Sequence, residues 1–140
     1  MKQNAQVMPM IAVDSVDRAR AFYVEQLGFG HMMGMLGKDG QLDFCTVTLN
    51  GAKVMLMRPP ERTEGTSATS LKRPVEIYLE VSGVNAYHDE LAAKGIKVTS
   101  PLTDQWWGDR TFTVQDPFGY QIWFYQHVGD PIPPKGAKLV

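Results

Sequence analysis

Four short segments of this chain alternate between two kinds of residue, and one kind could do chemistry. Met8 and Met10 share a parity, as do Lys53, Met55 and Met57, then Glu76, Tyr78 and Glu80, then Gln121, Trp123 and Tyr125. The other parity reads Ile11 and Val13, Val54 and Leu56, Ile77 and Leu79, Ile122 and Phe124. Successive side chains of a strand point to opposite faces, so each segment carries one packing face and one face of methionine, aromatic rings, acid and amide. Methionine is unbranched and polarizable, and a methionine wall can repack around different ligands. Trp123, Tyr78 and Tyr125 offer flat faces for planar or cationic groups. Glu76 offers a charge. It could pair with a cationic ligand or, in an apolar pocket that raises its pKa, serve as a general base beside a carbonyl. The competing reading is structural. The methionines would then fill space as a second core, and Glu76 would pair with Lys53 or Arg110.

The candidate ligand-binding set is therefore Met8, Met10, Met55, Met57, Tyr78, Trp107, Gln121, Trp123 and Tyr125, and the candidate catalytic residue is Glu76. Trp107 joins because Trp106 and Trp107 lie in a loop beside Gly108, where they could cover this face or plug its edge. Glu80 lies near a strand end and reads as solvated. Cys45 is the lone cysteine and reads as a small core residue, without a disulfide framework. His88 falls in a helix, His127 ends the last strand and His31 follows Gly30 on the second strand.

The elements that position these residues come in two similar halves. Val13 matches Val81, Phe44 matches Phe112 and Gly51 matches Gly119, each pair separated by the same number of positions. The first half predicts a strand over 7–13, then a helix that Asp14 or Ser15 can cap. Val16, Ala19, Phe22, Tyr23 and Leu27 recur at helical spacing, and Gly28 ends the run. Strands follow over 30–36, 42–49 and 52–58, with Asn50-Gly51 as a hairpin turn because both residues tolerate positive φ. The second half predicts a strand over 75–81 and a helix with Val84, Tyr87, Leu91 and Ala92 on its apolar face, closed by Gly95. Strands over 96–100, 110–115 and 120–127 complete it, the last two joined by Asp116-Pro117-Phe118-Gly119. Two modules, about 6–60 and 74–128, are thus joined by a polar linker over 61–73. An arm over 129–140 carries Pro131, Pro133 and Pro134 and could lie across a partner chain.

The 140 residues are one domain's worth, with 44% hydrophobic and 21% charged residues. A net charge of −1 points to no nucleic acid and no anionic membrane as partner. No apolar run approaches the roughly 20 residues of a membrane helix, and the first residues lack a signal-peptide stretch. A reducing cytoplasm is the expected location.

Residues 13–29, Val-Asp-Ser-Val-Asp-Arg-Ala-Arg-Ala-Phe-Tyr-Val-Glu-Gln-Leu-Gly-Phe, resemble the first helix of the glyoxalase, bleomycin-resistance and extradiol dioxygenase (vicinal oxygen chelate) superfamily. Trp107-Gly108-Asp109-Arg110, followed by Asp116-Pro117-Phe118-Gly119-Tyr120, resembles its last hairpin. The resemblance spans roughly 6–128. It implies an α+β fold of paired βαβββ modules forming curved mixed sheets around a cavity, often in a homodimer. Metal-using members place His, Gln or Glu at four positions, which fall here on Met8, Met55, Glu76 and Trp123. Thioethers and an indole are poor ligands for a hard divalent ion, so neither a metal nor another cofactor is expected. A relocated metal site using His31 with Glu76 is the exception to weigh, and the two-histidine, one-carboxylate iron site of a dioxygenase is missing at the expected positions. The resemblance implies two functions. The first is metal-independent sequestration of a planar or cationic small molecule, as in bleomycin and other antibiotic resistance. The alternative is a glyoxalase-like lyase or isomerase using Glu76 as base.

Overall fold

The structure is a computed structural model, and it describes residues 7–58, 75–137 and 139. The linker expected over 61–73 lies outside the described residues, as do residue 6 and, in the arm, residues 138 and 140. The fold is α+β, with two four-stranded mixed sheets. In chain order the elements are β1 (Met10–Ala12), α1 (Val16–Ala21), β2 (Gly30–Leu36), β3 (Leu42–Leu49), β4 (Ala52–Met57), β5 (Ile77–Glu80), α2 (Val84–Ala93), β6 (Val98–Asp104), β7 (Asp109–Gln115) and β8 (Gln121–His127). The sheet orders are β1-β4-β3-β2 and β5-β8-β7-β6. Among the described residues no helix is long and apolar enough to cross a membrane.

The internal repeat is real at the level of hydrogen bonds. β1 runs parallel to β4 with Met10 opposite Met55, and β5 runs parallel to β8 with Tyr78 opposite Trp123. The amide of Val13 donates to Met57 O at 2.9 Å, and that of Val81 donates to Tyr125 O at 2.9 Å. One expected equivalence is corrected. Thr46 lies opposite Met55 and Thr113 opposite Trp123, so Cys45, not Phe44, is the counterpart of Phe112. The cause is the turn. Leu49 pairs with Ala52 across Asn50-Gly51, whereas the second hairpin closes only at Gln115 and Gln121, with five residues in the turn; one fewer cross-strand pair accounts for two of the three additional residues, and the third is an insertion. Cys45 and Phe112 are both fully buried, while Phe44 is half-buried.

In the first unit the helix begins where the sequence predicts, with the Ser15 hydroxyl accepting from the Arg18 amide at 3.2 Å. It then widens into a π-helical turn over Phe22–Gln26. The widening turns both Phe22 and Tyr23 inward beside Val16, Ala19 and Leu27. Beneath them lie Ile11, Val13, Cys45, Val47, Val54 and Leu56. Burial also pushes the Cys45 thiol up to about 11, which leaves it a packing residue. The turn Asp116–Gly119 belongs to this unit. Asp116 is buried there, accepting from the Tyr23 hydroxyl at 3.1 Å and from the Phe118 amide at 2.8 Å. The Arg18 guanidinium lies 5.2 Å from the Phe118 ring centroid.

In the second unit α2 packs Val84 and Leu91 inward, and Tyr87 meets Phe124 edge-to-face at 4.9 Å. Ala92, expected on that face, is exposed. β6 runs longer than expected and tolerates Pro101 because it is an edge strand. Register shifts in β2/β3 and β6/β7 bend each sheet. The arm bonds to its own chain. The Val128 and Gly129 amides donate to Gly108 O, and the Ile132 amide donates to Trp106 O at 2.6 Å.

Asp116 is a buried carboxylate, so Tyr23→Phe removes one of the hydrogen bonds that hold it. The expected cost is about 1–3 kcal/mol of folding stability, read from the denaturant midpoint. An unchanged midpoint would show that the bond contributes nothing.

Candidate functional site

Alternation places the two parities as the sequence implies. Ile11, Val54, Leu56, Ile77, Leu79, Ile122 and Phe124 are buried under the helices. The opposite faces are partly exposed. On the first sheet that face carries Met10 beside Met55, with Met33 two strands away across Thr46, and Met57 beside Phe44 and Met35. Met8, Met10, Met33 and Met35 are exposed, while Met55 and Met57 are half-buried. Met33 and Met35 were missed in the sequence because β2 has no aliphatic parity to contrast with them.

The second sheet's open face is built from rings. Tyr78 stacks on Tyr125 with centroids 4.4 Å apart and planes at 22°. Trp123 tilts against Tyr78 at 5.9 Å. The parallel pairing of β5 with β8 produces this arrangement, because it sets Tyr78 opposite Trp123 and Glu80 opposite Tyr125. Thr111 and Thr113, both buried, stand on the neighbouring strand β7 opposite Tyr125 and Trp123. Thr113 is held by Thr99 at 2.7 Å and by Gln121 at 3.4 Å, and Thr111 accepts from Gln105 at 2.9 Å.

Polar groups tie down the rim of this platform. The Trp123 indole donates to Glu76 Oε1 at 3.0 Å. The Tyr125 hydroxyl donates to Glu80 Oε2 at 3.4 Å. The Tyr78 hydroxyl donates to Asp109 Oδ2 at 2.7 Å and accepts from the Trp107 indole at 2.9 Å. His127 Nδ1 lies 3.2 Å from Asp109 Oδ1. Asp109 escaped the sequence reading as a site residue because its bond to Tyr78 joins segments distant in the chain. The loop that carries Trp107 is strapped by the arm. Gly108 has φ +100, and a methyl group there would collide with the Gly129 carbonyl.

Arg110, one proposed partner of Glu76, is engaged elsewhere: it binds Asp104 through two nitrogens, at 2.6 and 3.2 Å. Glu76 is solvent-exposed rather than enclosed by apolar groups. His31 lies on the helix side of its sheet, where Nδ1 accepts from Arg20 Nε at 3.0 Å. Of the four family ligand positions, Trp123 offers no lone pair, and its N–H occupies one oxygen of Glu76. Met8 and Met55 offer weak thioethers, so these residues do not fit a hard catalytic metal. Among the described residues no group of three or more His, Cys, Asp and Glu side chains could hold one.

Residues 5–124 match the family model of the glyoxalase/bleomycin resistance protein/dioxygenase superfamily. The chain belongs to that superfamily. An uncharacterized protein of Mycobacterium bovis is 34% identical over 128 residues, covering 89% of this chain and 82% of that one. The bleomycin resistance protein of Geobacillus stearothermophilus is 26% identical over 136 residues, covering 88% and 97%. In fold, the chain is similar to TnmS3, an antibiotic binding protein from a Streptomyces species, with a TM-score of 0.65 at 23% identity over 94% of this chain and 99% of that one.

Desolvation pushes the Tyr78 hydroxyl up to about 12. Its bond and charge interaction with Asp109 add to the rise, and the Trp107 donor opposes it. Tyrosinate absorbance titrations should separate these causes. Asp109→Asn is expected to lower the Tyr78 midpoint and Trp107→Phe to raise it. Shifts of the same sign in both variants would contradict the network.

Proposed function

We propose that this protein binds and sequesters a planar, cationic small molecule on the open aromatic face of the second sheet, without altering it chemically. The observation that carries the reading is the run Trp123, Tyr78 and Tyr125, stacked or tilted against each other and flanked by the carboxylates of Glu76 and Glu80. Fixed rings bind flat groups at low entropic cost, and acids at their rim favour a positive charge. Trp107 frames the edge through Tyr78, and Gln121 adds an amide. Met8, Met10, Met55 and Met57 supply an adaptable apolar face on the first sheet. The names of the bleomycin resistance protein and of TnmS3 support an antibiotic as the ligand class. The alternative of Glu76 as general base rests on an enclosed carboxylate, and Glu76 is exposed.

Glu76→Gln keeps shape and removes charge. Glu76 is exposed, so solvent screening limits the loss of affinity for a planar cation to about 3- to 10-fold at low salt. Trp123→Ala should cost at least as much by removing a stacking face. Calorimetric titration with proflavine reads both. Wild-type affinity in Glu76→Gln would remove Glu76 from the site.

A homodimer is part of the same proposal. Met8, Met10, Met33, Met35 and Leu36 are exposed on the first unit, and apolar side chains left in water there suit a second copy of the chain. Light scattering at tens of micromolar (an order suited to a standard interface) should give twice the chain mass. The mass of one chain would count against it.

A further inference from the structure

Three carboxylates surround the aromatic platform, and they are not equivalent. Asp109 is closed, with Oδ2 accepting from Tyr78 and Oδ1 facing His127 Nδ1, and its side chain is only 13% exposed. Glu76 and Glu80 are each half-engaged. Oε1 of Glu76 accepts from Trp123, and Oε2 of Glu80 accepts from Tyr125. The second oxygen of each has no partner among the described residues, and both residues are exposed. They lie on one extended segment with Tyr78 midway between them. Four residues of strand span about 13 Å. The platform is thus a row of rings with one half-free acid towards each end.

We infer that the site takes a flat ligand with two cationic groups about 13 Å apart, with Glu80 as the second anchor and Asp109 as a positioning residue only. The inference rests on the binding reading above and deepens it. A single cation would need only one of the two acids. A dication of matching length satisfies both at once, because the second contact is made by a ligand already held. Asp109 acts through Tyr78. It fixes the hydroxyl as a donor, which turns a lone pair towards the Trp107 indole and holds the edge of the platform.

Two probes test this in the full-length protein at low salt. One is 4′,6-diamidino-2-phenylindole, a flat molecule with an amidinium at each end. The other is its single-amidine analogue, 2-phenylindole-6-carboxamidine. Calorimetry should show the dication binding about 3- to 10-fold more tightly. Glu80→Gln should abolish that preference, lowering the dication's affinity to that of the monocation. Asp109→Asn should preserve the preference, and it should lower the Tyr78 titration midpoint, which is measured without ligand. Equal binding of the two probes to the wild type, or a preference that survives Glu80→Gln, would overturn the two-anchor inference while leaving the single-cation reading standing. Failure of both probes to bind would overturn both readings. Loss of the preference in Asp109→Asn would make Asp109 an anchor and overturn its assignment. Thermal melts of the variants confirm that each is folded.

Discussion

Each four-stranded sheet in this protein has one helix, and one helix covers one face. That limit shapes everything else. The covered faces take the aliphatic and phenyl side chains of β1, β4, β5 and β8, and hydrophobic burial there supplies the driving force of each unit. On the opposite faces one sheet carries methionines and the other carries stacked rings rimmed by carboxylates, and it is this partly exposed surface that the proposed binding uses.

The parallel pairing of the first and last strands in each unit fixes what those faces present. The register that puts Met10 beside Met55 puts Tyr78 beside Trp123. The same scaffold therefore yields a soft face in one unit and a flat, rigid face in the other, by side-chain choice alone. The rigid face is also held in orientation. Each of its hydroxyl and indole hydrogens is given to a carboxylate or to a neighbouring hydroxyl, so the rings stack without an unsatisfied donor between them. What is left to offer a ligand is π surface and negative charge.

Much of this was legible in the chain. Strand alternation separated the buried from the open parity at 53–57, 76–80 and 121–125, and Ser15, Gly28, Asn50-Gly51 and Gly95 marked the element ends because their backbone chemistry is local. What stayed hidden was non-local. The π-helical turn over Phe22–Gln26 is set by packing rather than by propensity. The extra residue in the second hairpin displaced the Phe44–Phe112 match, since a repeat in sequence cannot show which strand absorbs an insertion. Asp109 and the bonding of the arm to the Trp106–Gly108 loop depend on contacts between distant segments. The pairing of Arg110 with Asp104, which leaves Glu76 to an indole, likewise has no sequence signature.

The central claim is that the rings of the second sheet are where a planar cation rests. The indole N–H resonances of the three tryptophans report on it directly, because each stands at a different place. Trp123 lies in the platform, Trp107 at its edge, and Trp106 turns its ring nearly perpendicular to that of Trp107 at 5.6 Å. In a nitrogen–proton correlation spectrum of labelled protein titrated with proflavine, the Trp123 resonance should move most and saturate, Trp107 should follow less, and Trp106 should move least. A saturating titration that leaves Trp123 in place would contradict the account.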